Sequence, residues 1–287
     1  MRIGLCTTDF PSAMPAKALF ERIKNYGFDC VQLAFCSVTE CEFTASNQIE
    51  IPEGVSERAL DAIREASEWT GLPIGAVNGT WNMAHPDAAV RREGLRRFDG
   101  FLRAVHALDC PIATLCSGTR SPEHLWKYHP ENTSDSAWRD MSDSMKAVCA
   151  LAEKHEVTLA IETEAANIIS SPESARRIMD EVGSNRLKMI LDAANLFPAG
   201  TARRENVRPT LDRAFAHFGR DIVLAHGKDI RESEGIDFCG TGFGIVDFPY
   251  MIEGLRKVGF EGDMMLHGIY EERDIPGCLD FMRRRIG

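Results

Sequence analysis

The sequence predicts a single-domain (β/α)8 TIM barrel that spans residues 1–287. Eight short apolar runs recur along the chain, with starts at residues 3, 30, 73, 111, 157, 187, 222 and 263. Amphipathic stretches separate these runs, and no linker rich in Pro, Gly or Ser divides the chain. Eight strands alternating with helices over this length fit a barrel, typically around 250 residues long, better than a doubly wound sheet.

The eight runs are predicted to be parallel strands. Most of them are continuously apolar rather than alternating, as expected for strands that are covered on both faces. In chain order they are IGLC (3–6), CVQLAF (30–35), PIGAV (73–77), PIATLC (111–116), VTLAIE (157–162), LKMILD (187–192), IVLAH (222–226) and DMMLH (263–267).

The stretches between the strands have the pattern of amphipathic helices, several of them closed by a glycine or asparagine that suits a C-cap. No GxGxxG follows the first strand and no GxxxxGK[ST] occurs, so a nucleotide-binding sheet lacks its usual motifs. The longest interruption, residues 117–140, is predicted to lie on the active-site face as a lid or as a surface excursion. The clearest helices are AKALFERIKNYG (16–27), SERALDAIREASEWTG (56–71), AVRREGLRRFDGFLRAVHALD (89–109) and SDSMKAVCALAEKH (142–155).

The composition argues against several classes of partner. The chain has 43 acidic and 33 basic residues and a net charge of −10, which repels nucleic acid and anionic membranes. No signal peptide is evident, and no segment approaches the roughly 18 apolar residues of a membrane span. Nine cysteines without a CxxC pair indicate reduced, buried thiols. We expect a cytoplasmic protein with neither nucleic-acid nor membrane partners.

The last four predicted strands end in Glu162, Asp192, His226 and His267. Singly, each has an ordinary interpretation; Asp192, for example, could cap the turn that follows it. In a barrel, however, strand ends meet in one mouth, where four such groups need a positive partner. We therefore expect one divalent metal ion on these four residues. Carboxylate and imidazole ligands suit Mn²⁺, Zn²⁺, Co²⁺ or Fe²⁺, and Mg²⁺ is a further option.

Other residues near the strand ends are candidates for orienting the ligands or binding a substrate. Metal-bound histidines usually donate their second N–H to another group, so the nearby polar residues Glu164, Asn195, Lys228 and Asp229 could orient the ligands. Aromatic rings, with Trp138 as a further option, could stack on a sugar, and cations could meet an anionic substrate; loop packing and helix capping are the alternative. The predicted substrate-binding residues are Trp81, Arg120, Trp126, His129, Glu164, Asn195 and Lys228.

Five segments carry a resemblance that extends over nearly the whole chain. They are NGTWNMAHPD (78–87), IETE (161–164), LDAANLF (191–197), AHGKDI (225–230) and GTGFGIVDFPYMIEGLRKVGFEGD (240–263). In their order and spacing the sequence resembles the xylose isomerase-like barrel superfamily, in particular its sugar phosphate isomerase/epimerase members.

This resemblance implies a ligand set of Glu, Asp, His and Glu, of which the first three positions fall on Glu162, Asp192 and His226. The fourth falls on His267, where the sequence departs from the family pattern. In the epimerases of this family two glutamates exchange protons on opposite faces of a metal-chelated ketose, and the metal stabilises the enediolate. His267 has three physically reasonable roles: fourth ligand with Glu162 as the one base, second acid/base, or part of a degenerate site.

The function implied by the resemblance is a divalent-metal-dependent isomerase or epimerase with Glu162 and His267 as catalytic residues. Its substrate would be a keto-sugar, a sugar phosphate or an inosose-like polyol, and a homo-oligomer is compatible with the family. A keto-sugar lyase or dehydratase is the nearest alternative. A hydrolase like the three-zinc barrel endonucleases would need extra ligands from His85, His124, His129 or Glu164, and the net charge disfavours it. A non-catalytic sugar-binding barrel is the third class.

Overall fold

Eight parallel strands close into a barrel in a computed structural model that describes residues 1–44 and 46–287. Around the barrel the strand order is β1-β2-β3-β4-β5-β6-β7-β10, and β8 and β9 form a separate antiparallel hairpin. The strands are β1 (Ile3–Cys6), β2 (Cys30–Leu33), β3 (Ile74–Asn78), β4 (Ile112–Cys116), β5 (Thr158–Glu162), β6 (Leu187–Asp192), β7 (Ile222–His226), β8 (Asp229–Ile230), β9 (Phe238–Cys239) and β10 (Asp263–Leu266).

Eight helices follow the barrel strands, so the predicted TIM barrel is confirmed. Glycines close α1 and α2 as expected, because Gly27 and Gly71 adopt positive φ angles of 96° and 67° at the C-caps. The helices are α1 (Ala16–Tyr26), α2 (Glu57–Thr70), α3 (Ala88–Ala107), α4 (Asp135–His155), α5 (Pro172–Val182), α6 (Arg204–Phe218), α7 (Phe248–Lys257) and α8 (Ile275–Ile286).

Two apolar layers hold this architecture together. The main core lies between the strands and the surrounding helices, where strand side chains meet the buried faces of α1 to α8. A second cluster draws one buried residue from each of six strands and fills the barrel itself. Its members are Cys30, Ala76, Ala160, Ile190, Leu224 and Met265. The barrel is therefore a packed core, and any substrate must bind at its mouth.

Several element boundaries differ from the predicted ones. Helix α4 begins at Asp135, because Ser134 caps it by accepting the N–H of Ala137, so the long loop is shorter than predicted. Strand β2 ends at Leu33, since a 3-10 turn over Phe35–Ser37 follows. Strand β10 ends at Leu266, which places His267 just beyond it.

The fold also bears on two further expectations, one about the cysteines and one about membrane-spanning helices. All nine cysteines are unpaired, and eight of them are buried, as the sequence predicted. Among the described residues, we find no helix with the length and apolar character that a membrane crossing requires.

Candidate active site

Three of the predicted metal ligands converge at the carboxyl ends of consecutive strands. Glu162, Asp192 and His226 end β5, β6 and β7, and each offers a ligand atom within 4.8 Å of the others. The register aligns Asp192 with His226 across the β6–β7 pair. Asp192 is fully buried and His226 nearly so, which removes both from bulk water. We call these three residues the triad.

The two carboxylate oxygens of Asp192 have different surroundings. Its Oδ1 accepts the backbone N–H groups of Ala194 at 3.0 Å and Asn195 at 3.3 Å, so Asp192 does cap the following turn. Its buried Oδ2 has no hydrogen-bond partner and lies 3.4 Å from Nδ1 of His226 and 3.7 Å from Nζ of Lys228. A buried, unpartnered carboxylate oxygen is costly, and a bound cation would satisfy it. The donor set of the triad therefore fits a divalent metal ion.

The hydrogen bonds of His226 indicate which of its nitrogens faces the triad. Its Nε2 lies 3.0 Å from Oε1 of Gln32, whose amide nitrogen donates to Asn78 at 2.7 Å. Gln32 thus presents an acceptor, so Nε2 of His226 carries the hydrogen. Nδ1 lies 3.1 Å from Oε1 of Glu162 and is the nitrogen available to a cation. An outer hydrogen bond of this kind commonly fixes the tautomer of a metal-binding histidine.

The charged side chains of the site balance one another. Burial opposes ionisation of Asp192, but the cations of Lys228 and His226 outweigh it and hold the pKa of Asp192 well below its usual range. Burial likewise opposes a charged His226, yet Glu162 and Asp192 raise its pKa to about 9. Burial raises the pKa of Glu164 to about 7, against the opposing charge of Lys228. Protons on His226 and Lys228 therefore occupy the electrostatic role that a metal ion would take.

A cavity of about 690 Å³ lies at the mouth above the triad. Of the predicted site residues it is lined by Trp126, Glu162, Glu164, Asn195, His226, Lys228 and His267. The prediction did not include ten further lining residues. Two of them, Asn78 and Thr80, lie in the NGTWNMAHPD segment quoted for the family resemblance, and the other eight lie outside the five segments that carry it. The ten residues are Thr8, Gln32, Glu50, Asn78, Thr80, Thr114, Ala166, Ile236, Phe238 and Tyr270.

Asn195 and Lys228 contact the triad directly, which fits the ligand-orienting role considered for both beside substrate binding. Nδ2 of Asn195 donates to Oε1 of Glu162 at 2.8 Å, while its own Oδ1 is buried without a partner. Burial opposes the charge of Lys228, but Asp192, Glu162 and Glu164 raise its pKa. Both residues thus help to fix the charge and orientation of the triad, and their contact with a substrate stays a prediction.

His267 lies at the cavity wall, outside the triad. Its Nδ1 is 3.1 Å from Oδ1 of Asp9, and Asp9 also accepts the N–H groups of Gly268 and Ile269, each at 3.1 Å. The rings of His267 and His226 are 5.5 Å apart between centroids. Burial opposes a charged imidazole, but Cys6 and Asp9 raise the pKa of His267 above its usual value. With Nδ1 held by Asp9, only Nε2 is left for a metal ion or a substrate.

Three predicted substrate contacts lie elsewhere. Trp81, three residues beyond the end of β3, is fully buried against Gly94 of α3 in the helix layer. Nη1 of Arg120 donates to Asp140 at 2.7 Å and to the carbonyl of Ala84 at 3.0 Å, so its charge is used in loop packing. These two residues, and His129 with them, are absent from the lining of the cavity.

The three histidines that were considered as extra ligands of a three-zinc site each accept a hydrogen bond within their own turn. In His85, His124 and His129 the Nδ1 atom accepts the backbone N–H two residues later, at 3.0, 3.3 and 3.2 Å. Each therefore stabilises its own turn. Within residues 1–44 and 46–287, the triad is the one group of three or more metal-ligating side chains that meets.

Asp229 and Trp138, two further candidates for the site, make contacts that stabilise the fold. The carboxylate of Asp229 accepts four backbone N–H groups of the loop that follows β7, so it shapes this loop rather than a ligand. Trp138, on α4, donates its indole N–H to Glu181 of α5 at 2.8 Å. Their positions explain why neither lines the cavity.

The fold and the triad define a barrel with a candidate metal centre at the carboxyl ends of its strands. A family model described as xylose isomerase-like TIM barrel matches residues 20–284. The chain belongs to this family, as the sequence predicted.

Comparisons with individual proteins agree with the predicted class of enzyme. The D-psicose 3-epimerase of Enterocloster bolteae is 23% identical over 294 residues, which cover 94% of this chain and 90% of that protein. A solved 3-keto-D-glucoside 4-epimerase from E. coli has a TM-score of 0.74 and 18% identity, covering 99% of both chains. The IOLI protein, solved with a zinc atom, has a TM-score of 0.72 and 14% identity over 99% of this chain and 96% of its own.

Proposed function

We propose that this chain is a divalent-metal-dependent epimerase or isomerase of an uncharged keto-sugar, free or in glycosidic linkage. The buried, unpartnered Oδ2 of Asp192, beside His226 and Glu162 under a cavity of about 690 Å³, is the observation that carries the proposal. The similarity to a ketohexose epimerase and to a keto-glucoside epimerase supports the sugar class.

The proposed metal ligands are Glu162, Asp192 and Nδ1 of His226. When bound, a divalent cation would supply Lewis-acid stabilisation of negative charge that develops on the sugar oxygens. Gln32 would hold the imidazole in the required orientation through Nε2, which lies 3.0 Å from it. A zinc-containing structural neighbour supports metal dependence, and the identity of the ion is left to experiment.

Glu162 is the proposed base. Nδ2 of Asn195 donates to Oε1 of Glu162 at 2.8 Å, and the proposed ligand atom Nδ1 of His226 lies 3.1 Å from the same oxygen. Oε2 is therefore the oxygen available to remove a proton from the carbon next to the sugar carbonyl. Asn195 holds the carboxylate in place during this transfer.

His267 is the proposed second acid/base. Asp9 accepts the Nδ1–H group of His267, which leaves Nε2 to deliver a proton to the opposite face of the same carbon. Delivery there inverts the carbon and gives an epimer. If His267 delivers no proton, Glu162 acts on one face of the sugar only. Return of the proton to the neighbouring carbon then gives isomerisation, and loss of a substituent gives elimination.

The charge of the cavity favours a substrate without phosphate. Three lining side chains, Glu50, Glu162 and Glu164, are acidic. Arginine is absent from the described lining, and the ammonium group of Lys228 lies 3.7 Å from Asp192. A phosphoryl group would therefore meet carboxylates, and the ammonium group of Lys228 is shared with Asp192.

Metal content and proton exchange together test this proposal. Untagged protein should contain about one divalent ion per chain by plasma mass spectrometry, and Asp192→Asn should lose it. Glu50→Gln is the matched control, because Glu50 lines the same cavity outside the triad and should keep the ion. Ketohexoses incubated in D₂O should gain deuterium next to the carbonyl only with the metal-loaded protein.

The products separate the related reactions. An epimer supports the role of His267, an aldose supports isomerisation at one face, and loss of a substituent supports a lyase. A wild-type protein that binds no divalent ion, or whose loaded form exchanges no proton with any keto-sugar, would refute the proposal.

A further inference from the structure

The outer part of the cavity differs in character from its floor. Trp126 lies in the loop after β4, Ile236 and Phe238 belong to the β8–β9 hairpin, and Tyr270 follows β10. We call these four residues the apolar rim. The rest of the lining, by contrast, is almost entirely polar or charged, and it includes Glu162 and His226 of the triad.

The apolar rim is unusual for its exposure. Trp126, Ile236 and Tyr270 are 39%, 42% and 70% exposed, and they are three of the seven large apolar side chains that are exposed in the described part of the chain. Single exposed apolar residues need no explanation, but a group around one opening marks a binding surface.

Two rim side chains are held in place. The indole N–H of Trp126 donates to Glu50 at 2.8 Å, which fixes the orientation of the ring from its edge. Phe238 packs beneath the ammonium group of Lys228, which lies 3.9 Å from the ring centroid. A ring that is already ordered loses little entropy when a ligand stacks on it.

The cavity is also larger than a monosaccharide needs. A six-carbon sugar fills roughly 200 Å³ at the packing density of molecular crystals, against about 690 Å³ for the cavity. A sugar that contacts the triad would therefore leave the space next to the apolar rim open.

We propose that the apolar rim is an aglycone site, and that the substrate is a keto-glycoside whose substituent is uncharged and aromatic. This inference rests on the proposed function and names its substrate class. The polar floor takes the sugar carbonyl and hydroxyls, and the rim takes the ring of the substituent. The carboxyl group of Glu50, which accepts the indole N–H of Trp126, disfavours an anionic substituent at the same place.

Calorimetric binding of two probes to the metal-loaded protein tests the inference. The phenyl and methyl 3-keto-β-D-glucosides share the sugar and differ in the ring that the rim would hold. Phenyl should bind about tenfold more tightly than methyl, which is the scale of one well-placed aromatic contact with its burial. Trp126→Ala and Tyr270→Ala should each reduce this preference, whereas Trp126→Phe should keep most of it.

Trp69 provides a matched control. It is 69% exposed at the end of α2, away from the mouth, so Trp69→Ala should leave the ratio of the two affinities unchanged. Unaltered metal content and melting temperature will show that each rim variant is folded. Equal affinities for the two probes in the wild type, or a preference that survives both alanine variants, would overturn the inference.

Deuterium exchange with the same probes separates this inference from the function on which it rests. Exchange with free ketohexoses without a phenyl preference would keep the proposed function and reject the aglycone site. A phenyl preference without exchange in any sugar would reject the proposed function and the substrate class, and leave only a binding surface.

Discussion

Gly94 and Gly100 occupy the same helix, α3, and we predict that alanine at these positions has opposite effects on stability. A Cβ atom at Gly94 would lie 2.5 Å from Cδ2 and Cζ3 of Trp81 and closer still to Cε3. Trp81 is fully buried, so its ring has no free space into which it could move. At Gly100 no atom lies within 4 Å of the added Cβ.

The magnitudes follow from packing and helix propensity. Gly100→Ala should gain up to about 1 kcal/mol, because alanine favours the helix over glycine. Gly94→Ala gains the same propensity but forces overlap in a filled core, which typically costs about 1–3 kcal/mol or more. Because the propensity gain is common to both variants, we expect their free energies of unfolding to differ by the overlap cost, about 1–3 kcal/mol or more.

Chemical denaturation and thermal melting measure this difference. For a chain of this size 1 kcal/mol corresponds to roughly 2 °C, so the melting temperatures should differ by about 2–6 °C or more. If Trp81 instead pointed into the sugar cavity, as the sequence suggested, Gly94→Ala would be as stable as Gly100→Ala. Equal melting temperatures of the two variants would refute the position of Trp81.

Three further predictions concern the site. Asp9→Asn should lower kcat about a hundredfold, because His267 loses its orientation, while the metal content stays unchanged. Loss of the ion in this variant would contradict the role of Asp9 as a residue that positions His267. Below pH 9 the metal-free His226 is protonated, since its pKa is raised to about 9, so metal affinity should rise with pH up to that value. Titration of the protein with the metal ion at pH 7, in buffers of different ionisation enthalpy, should show release of about one proton per ion. If no proton is released, His226 is not a ligand of the ion. A phosphorylated keto-sugar should have a kcat/KM at least about tenfold below that of its uncharged analogue, and the reverse preference would refute the uncharged substrate.

The strands were predictable because burial on both faces leaves continuous apolar runs in the sequence. The ends of the strands were less predictable. The run CVQLAF continues to Phe35, but β2 stops at Leu33, where the backbone enters a turn. The β8–β9 hairpin, with two residues in each strand, is too short to produce any pattern.

The triad was predictable because its three residues end consecutive parallel strands, and topology alone brings such ends together. Gln32 and Asp9 were missed for the opposite reason, since they reach their histidines from distant parts of the chain. Trp81 was predicted to line the pocket but lies in the helix layer, because the sequence does not reveal that Gly94 leaves room there for an indole.

The contact between Asp9 and His267 joins residues 258 positions apart. It lies beside the β1–β10 pairing, where the ends of the sheet meet and where Arg2 binds Asp263 at 2.8 and 2.7 Å. Contacts at such separation form late, because the entropy of closing a long loop must be overcome first. During synthesis, a chain whose last strand has not yet emerged therefore has neither a sealed barrel nor an oriented His267. Any activity that depends on this histidine begins only when folding is complete.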